Sequence, residues 1–203
     1  MRSIPTPPGV CGVDEAGRGP IAGPVYAAAV ILPPRARLPG LDDSKKLAHQ
    51  QRLELAAGIR AQAIAWAVAW ATVEEIDRHN IVRASLLAME RAVKGLAVAP
   101  REVWVDGTHA PPVSFPSRAL VQGDGKVRAI AAASILAKTE RDEEMARLGA
   151  RFPAYGFERH KGYATPEHLE ALARHGACEV YRRSFAPVRA ALGLDGLSQP
   201  SLF

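Results

Sequence analysis

Short apolar runs separated by turn-forming residues fill the first third of the chain. Residues 9–15 and 24–32 are apolar runs with glycine and proline between them, which predicts two buried strands. Proline and glycine break the chain again at 33–40, and a helix is predicted over 44–62. Residues 63–72 alternate between alanine and larger apolar side chains, which predicts a third strand. The large apolar residues of that strand are Ile64, Trp66, Val68 and Trp70.

Strands and helices alternate along the remainder. Apolar residues spaced by four and three positions predict one face of a helix. They are Val82, Leu86, Met89, Val93 and Leu96. Short strands are predicted at 102–106 and 118–122, and an alanine-rich helix over 127–148. A further helix begins after the N-cap Thr165 and ends at Gly176. Strands followed by alternating strands and helices predict an α/β protein with a mixed sheet and helices packed on it.

Composition narrows the class of protein. The chain has 203 residues, of which 48% are hydrophobic and 23% charged, enough for one globular domain with a substantial core. No apolar run approaches the ~20 residues of a membrane span, and no apolar signal segment follows Met1. We therefore expect a cytoplasmic protein, and nothing in the sequence points away from a monomer. The proline-rich residues 1–8 are expected to be an irregular lead.

Net charge and cysteine content by themselves say little about the function of the protein. The net charge of +5 favours polyanionic partners, although many proteins of this charge bind none. Cys11 and Cys178 have no metal-ligand spacing, so we expect buried or half-buried thiols rather than a disulfide.

Carboxylates follow three of the predicted strands. Asp14 and Glu15 end the first strand directly before a Gly-Arg-Gly turn at 17–19, Asp106 ends a later strand, and Asp124 follows another. Because strand ends can converge on one crevice, the four acids are candidates for a shared site. Carboxylates held together repel one another unless divalent cations neutralise them, and an oxygen-rich site suits Mg²⁺ or Mn²⁺. The alternative is that they are separate, solvated, turn-capping acids.

One geometrical conflict accompanies this hypothesis. Successive strand residues point to opposite faces, so Asp14 and Glu15 cannot both face one site from a regular strand. Either the backbone bends at once towards Gly17, or one of the two acids contributes differently, for instance through its carbonyl oxygen.

The alanine-rich helix carries a polar stripe. Ser134, Lys138 and Arg141 fall at i, i+4 and i+7, so they share a face that could follow phosphates or be merely solvated. Asp142 lies beside the stripe and could pair with Lys138 or serve as an outer-sphere acid.

A loop at 160–163 precedes the Thr165 cap. It holds a lysine that could meet a phosphate and Tyr163, which could stack on a sugar or base. The alternative is that Tyr163 anchors the loop on the core.

Taken in order, these motifs resemble bacterial ribonuclease HII, the type 2 ribonuclease H. The resemblance extends over residues 9–190, and its specificity lies in the order and spacing of the whole set. The motifs are at 14–19, 43–47, 105–107, 123–124, 132–138, 141–142, 160–163 and 183–185. The chain departs from the family pattern at Gln122, where lysine is usual, and at Thr139 and Glu140.

The resemblance implies a ribonuclease H-like mixed sheet flanked by helices, with a helical C-terminal part of the catalytic domain. It implies hydrolysis of the RNA strand of RNA–DNA hybrids and incision 5′ of ribonucleotides embedded in duplex DNA. The expected mechanism is two-metal-ion catalysis that leaves 3′-hydroxyl and 5′-phosphate ends. The alternatives are a structure-specific DNA nuclease of the same fold and a non-catalytic hybrid-binding module.

Residue roles carried over from the family cover three groups. The metal-binding and catalytic acids are Asp14, Glu15, Asp106 and Asp124. The turn that reads the ribose 2′-hydroxyl is Gly17, Arg18 and Gly19, and Tyr163 senses the junction. The other expected substrate-binding residues are Lys45, Lys46, Ser134, Lys138 and Arg141.

The C-terminal residues 191–203 are expected to form a flexible tail. Its last residues, with Gln199, Leu202 and Phe203, resemble the short peptide by which bacterial repair and replication proteins dock on the sliding clamp. The alternative is an ordinary frayed terminus.

Overall fold

The computed structural model describes residues 6–41 and 47–194. The predicted substrate-binding residues Lys45 and Lys46 lie outside the described residues. So do Gln199, Leu202 and Phe203 of the tail.

A five-stranded mixed sheet forms the centre of the part of the chain that the structure describes. Its strands are β1 (Val10–Ala16), β2 (Val25–Ile31), β3 (Ala65–Ala71), β4 (Glu102–Asp106) and β5 (Ser117–Leu120). Their spatial order is β3-β2-β1-β4-β5. The pairs β1–β2 and β2–β3 are antiparallel, whereas β1–β4 and β4–β5 are parallel. The predicted α/β class with a mixed sheet is confirmed.

Helices cover both faces of this sheet. They are α1 (His49–Gln62), α2 (Val73–Lys94), α3 (Arg128–Arg151), α4 (Phe157–His160), α5 (Pro166–His175) and α6 (Ala186–Ala191). Cys11 and Val13 of β1 pack towards α2. Ala28 and Val30 of β2 pack towards α1 and α3. The C-terminal helices enclose a third cluster around Phe157.

Close approach of α3 to β1 depends on small residues. A Cβ on Gly12 would lie 2.1 Å from the carbonyl carbon of Ala129, so only glycine fits at that strand position. Ala132 and Ala133 on the next turn are fully buried against the sheet. This contact brings the polar side chains of α3 to the end of β1. The predicted irregular lead also touches α3, since Thr6 Oγ1 accepts from the N–H of Ala129 at 3.2 Å.

One predicted helix boundary was wrong. Within the described residues α1 begins at His49 rather than near 44, because Ala48 is extended (φ −61°, ψ 155°). The helical face predicted from the apolar spacing after Val82 belongs to the second part of α2. This helix begins at Val73 after the N-cap Thr72 and kinks at Asn80 (φ 66°).

The predicted buried face of α2 was also partly wrong. Val82 is 38% exposed, and Leu96 lies beyond the helix. Ala84 and Ala88 are fully buried instead. Alanine side chains let α2 lie close to the sheet. The face that carries Ala84 and Ala88 is therefore the buried one, although larger apolar side chains lie elsewhere on the helix.

Strand β3 buries alanines and exposes tryptophans. Trp66 and Trp70 are 39% and 50% exposed, and Trp70 stacks on Tyr26 with ring centroids 5.7 Å apart. Strand β5 ends at Leu120, two residues earlier than predicted. Asp124 therefore lies in the following turn rather than at a strand end.

Other local predictions were correct. Thr165 caps α5 by accepting from the N–H of His168, proline occupies the first turn, and Gly176 follows the last residue. Cys11 is buried and Cys178 half-buried, both as free thiols. Across the described ranges, none of the helices combines the length and the apolar character needed to cross a membrane.

Candidate active site

Two acids meet at the ends of neighbouring strands. The parallel register pairs Val13 with Val105, so the following residues, Asp14 and Asp106, reach the same edge of the sheet. Asp14 is 4% exposed and faces α3, where Ser134 hydrogen-bonds to its carboxylate.

A third acid joins them through a backbone contact. The carboxylate of Asp106 accepts from the N–H of Gly123 at 2.6 Å and lies 3.4 Å from the backbone nitrogen of Asp124. Carboxylate oxygens of Asp14, Asp106 and Asp124 all lie within 4.8 Å of one another. The structure therefore unites three of the four predicted acids as a group able to hold a metal ion.

Glu15 reaches the site from the other side of the sheet. Strand β1 continues to Ala16 with regular pairing, so the backbone does not bend between Asp14 and Glu15. Glu15 lines the cleft that contains Asp14, and it also lines a smaller neighbouring cavity with His109, while Asp106 borders both. Asp14 and Glu15 thus remain on opposite faces of β1, and both still border the cleft beside Asp106.

The cleft itself has a volume of about 220 Å³ and is called the acidic cleft below. Its lining combines carboxylates, a glycine-rich turn, cations, a hydroxyl and an aromatic ring. These residues are Asp14, Glu15, Ala16, Gly17, Arg18, Gly19, Asp106, Ser134, Lys138, Arg141 and Tyr163.

Electrostatics of the cleft favour a bound cation. Burial raises the pKa of Asp14 well above its ordinary value, and the charges of Glu15 and Asp106 raise it further, against the opposing Ser134 hydrogen bond. Burial also raises the pKa of Glu15; Arg18, whose guanidinium lies 3.4 Å away, opposes this shift. Buried carboxylates that repel one another gain most from a divalent cation, and an all-oxygen donor set fits a hard ion such as Mg²⁺.

The Gly-Arg-Gly turn borders these acids. Gly17 has φ +100°, and a Cβ there would lie 2.0 Å from Nε of Arg141, so this position requires glycine for both backbone and space. A Cβ on Gly19 would lie 3.5 Å from the ring of Tyr163, which is 47% exposed. The turn and the tyrosine thus form one continuous wall of the cleft.

The predicted stripe on α3 divides into two kinds of residue. Lys138 lines the cleft and pairs with Asp142 at 2.5 Å, and Arg52 pairs with the other oxygen of Asp142 at 3.1 Å. Arg141 also lines the cleft but is 1% exposed and donates to the carbonyls of Ala22 and Pro24. The pairing of Lys138 with Asp142 is confirmed, whereas Arg141 holds backbone as well as bordering the cleft.

Two residues that depart from the family pattern have defined places in the structure. Glu140 forms an ion pair with Arg60 at 2.5 Å. Gln122 has φ 57° in the turn that leads to Asp124.

Two buried histidines support Tyr163. His168 Nδ1 lies 2.8 Å from the carbonyl oxygen of Tyr163 and its Nε2 lies 2.9 Å from the Tyr181 hydroxyl. Since a carbonyl only accepts, Nδ1 carries the proton and Nε2 accepts from Tyr181. Burial lowers the pKa of His168 to about 4, in keeping with a neutral ring. His160 stacks on it with centroids 4.0 Å apart and accepts from the N–H of Gly162.

Sequence reasoning missed Arg182. Its side chain is fully buried and donates to carbonyls of the Gly-Arg-Gly turn. Its only signal in the sequence is its place directly before the motif at 183–185, and a charged residue there gives no hint of burial.

A mixed sheet that gathers carboxylates beside a glycine-rich turn defines a metal-dependent nuclease of the ribonuclease H-like class. The sequence model of Ribonuclease HII matches residues 11–188, and the chain belongs to that family. The chain is therefore a metal-dependent endonuclease that cleaves RNA in RNA–DNA hybrids and at ribonucleotides embedded in DNA. The alternative of a DNA nuclease is not favoured.

Known proteins support this assignment along nearly the whole chain. Ribonuclease HII of Thiobacillus denitrificans is 59% identical over 197 residues, which cover 97% of this chain and 94% of that protein. The ribonuclease H2 structure from Pyrococcus horikoshii OT3 superposes with a TM-score of 0.77 at 27% identity, over 90% of this chain and 96% of that one. The ribonuclease HII of the PCNA complex from Archaeoglobus fulgidus gives 0.71 at 28% identity, over 95% and 98% of the two chains.

Proposed function

We propose that Asp14, Glu15, Asp106 and Asp124 hold the divalent cations with which this ribonuclease HII cuts on the 5′ side of a ribonucleotide. The products are a 3′-hydroxyl and a 5′-phosphate. The observation that carries this proposal is the approach of three carboxylates, from β1, β4 and the β5–α3 turn, to within 4.8 Å.

The ions proposed are Mg²⁺ or Mn²⁺, because the donors are all carboxylate oxygens. When bound there, a pair of such ions would activate a water molecule and stabilise the leaving oxygen. The carboxylates contribute by holding negative charge where those ions are needed. Ser134 and the N–H groups of Gly123 and Asp124 orient the carboxylates.

Recognition of the ribonucleotide is assigned to the wall of the acidic cleft that the Gly-Arg-Gly turn and Tyr163 form. The backbone N–H groups of the Gly17–Gly19 turn would meet the 2′-hydroxyl, which is the group that distinguishes RNA from DNA. Tyr163 would stack on the neighbouring sugar or base, since its half-exposed ring lies beside Gly19.

Phosphate contacts are assigned to cations around the same cleft. Lys138 lines it with its ammonium oriented by Asp142, and Arg18 is half-exposed beside Glu15. Lys45 and Lys46 remain predictions from the sequence for the same role.

The decisive experiment is incision of a DNA duplex that contains one ribonucleotide, with products mapped to the nucleotide. We expect one cut, 5′ of the ribonucleotide, that depends on Mg²⁺ or Mn²⁺. Cleavage of an all-DNA junction but not of this duplex would instead support the DNA nuclease. Binding without turnover in either metal would support a non-catalytic module.

A partner is proposed for the C-terminal tail. Residues 199–203 carry a clamp-binding pattern, and the archaeal ribonuclease HII named above forms a complex with PCNA. We therefore propose docking on the bacterial sliding clamp through Gln199, Leu202 and Phe203. We also propose that the protein is a monomer in the cytoplasm, where bacterial DNA lies. Residues 9–190 would form the catalytic unit and residues 191–203 its tail.

A further inference from the structure

Arg182 lies beneath the turn that forms the recognition wall of the acidic cleft. Its side chain is fully buried, and its guanidinium donates to four backbone carbonyls. They belong to Gly17 (2.7 Å), Gly23 (2.9 Å), Arg18 (3.1 Å) and Pro24 (3.3 Å). One side chain therefore joins the start and the end of the 17–24 loop.

Burial of this cation is costly, because its hydrogen-bond acceptors here are neutral carbonyls rather than a carboxylate. Burial lowers the pKa of Arg182 to about 9, with Arg141 adding to the shift and Asp77 opposing it. Asp77 instead accepts from the N–H groups of Arg183 and Ser184, which fixes the segment that carries Arg182.

Because the peptides of the turn are trans, the contact with Arg182 also determines the direction of the neighbouring backbone N–H groups. In such a peptide the C=O of one residue and the N–H of the next point in opposite directions, and the structure contains no cis peptide among the residues described. With the carbonyls of Gly17 and Arg18 turned towards Arg182, the N–H groups of Arg18 and Gly19 point away from it, and both residues line the acidic cleft. Within residues 6–41 and 47–194, no backbone carbonyl accepts from either N–H.

We propose that Arg182 is a positioning residue for ribonucleotide recognition, which sets the two peptide planes so that both N–H groups face the 2′-hydroxyl. This inference rests on the proposed function, in which the Gly17–Gly19 turn reads that hydroxyl. Lysine cannot replace arginine here, because an ammonium group is a compact point charge without the planar fork that spans several carbonyls.

The test compares Arg182→Lys and Arg182→Met with the wild-type chain. Matched controls are the same substitutions at the neighbouring Arg183, whose side chain is exposed. The measurement is the ratio of dissociation constants for an all-DNA duplex and for the same duplex with one ribonucleotide, with Ca²⁺ in place of Mg²⁺ under conditions without cleavage. Thermal unfolding of each variant verifies that it is folded.

We expect the Arg182 variants to lose about 10-fold in this ratio, on the scale of one or two hydrogen bonds, while binding to all-DNA duplex stays within about twofold. The Arg183 variants should keep the ratio. A general loss of fold would weaken both duplexes together and would not change the ratio. A folded Arg182→Lys protein with the wild-type ratio would overturn the inference.

Failure of the proposed function would look different, because the wild-type chain itself would then not prefer the ribonucleotide duplex. If neither Arg182 variant folds, the inference is tested by the amide NMR shifts of the wild-type chain. The N–H groups of Arg18 and Gly19 should shift with the ribonucleotide duplex and not with all-DNA duplex. Equal shifts with both duplexes would contradict the inference.

Discussion

The backbone N–H of Gly123 donates to the carboxylate of Asp106 across 2.6 Å, and this contact joins the end of β4 to the turn before α3. The turn is tightly packed, since a Cβ at Gly123 would lie 2.7 Å from Cδ1 of Ile130 and 3.1 Å from the carbonyl oxygen of Leu120. The contact carries Asp124 to within metal-binding distance of Asp14. Assembly of the acidic group thus depends on a turn as much as on the acids themselves.

Replacement of Asp106 by asparagine should remove cleavage and leave the fold intact. Asparagine keeps an oxygen that can accept from Gly123 but loses the charge that holds a cation. We expect the cleavage rate to fall by at least about 10²-fold, the scale for loss of one preorganised electrostatic group. Single-turnover cleavage and hybrid binding are the measurements, with exposed Glu170→Gln as the control. Near-wild-type turnover of the variant in Mg²⁺ would refute the assignment.

Asp14→Asn should stabilise the metal-free protein at neutral and alkaline pH. Because the folded-state pKa of Asp14 is raised, its contribution to stability is present at low pH and is lost as the pH rises through that raised value. The difference in melting temperature between the variant and the wild type, measured in EDTA, should therefore grow from pH 4.5 to pH 8.5. Added Mg²⁺ should stabilise the wild type more than the variant. A difference that is constant with pH would argue against the buried, repulsive carboxylate.

Gly17→Ala and Gly107→Ala separate backbone strain from steric overlap. Both glycines have φ near +100°, but a Cβ at Gly17 meets Arg141 at 2.0 Å, whereas nothing lies within 4 Å of a Cβ at Gly107. Each substitution should cost about 1–3 kcal/mol for the backbone conformation, and Gly17→Ala should cost more and also weaken cleavage. Urea unfolding and single-turnover kinetics measure the two effects. Equal losses of stability would exclude the contact with Arg141 as a constraint.

Tyr163→Phe and Tyr163→Ala examine the proposed stacking. Phenylalanine keeps the ring beside Gly19, whereas alanine removes it. Loss of a stacked base costs about 1–3 kcal/mol, so alanine should raise the dissociation constant for the single-ribonucleotide duplex by about 5- to 150-fold, and phenylalanine should change it little. If alanine binds as tightly as the wild type, the ring serves the loop rather than the substrate.

Deletion of residues 199–203 should abolish clamp binding and spare incision. The deleted segment follows the catalytic unit, so kinetics on a free duplex should be unchanged. A pull-down with purified sliding clamp measures the partner contact, and a chain with alanine at Gln199, Leu202 and Phe203 provides the matched full-length comparison. Clamp binding that survives both changes would exclude the tail as the docking segment.

Local patterns in the sequence predicted most of the strands, because alternation and turn residues are short-range signals. They failed at α2, where the kink at Asn80 and the burial of Ala84 and Ala88 depend on packing against the sheet. They also failed for the end of β5, where Gln122 adopts a left-handed conformation in the turn before Asp124.

From its sequence alone this chain could be assigned to a family, with its acids, its Gly-Arg-Gly turn and Tyr163, because those signals are residue types in a fixed order. Tertiary structure alone decided which groups meet. It united Asp14, Asp106 and Asp124, brought Glu15 in from the opposite face, and buried Arg141 and Arg182 beneath the turn. The physical reason is that strand order and close helix packing join residues far apart in the chain. Local sequence periodicity cannot predict such long-range contacts.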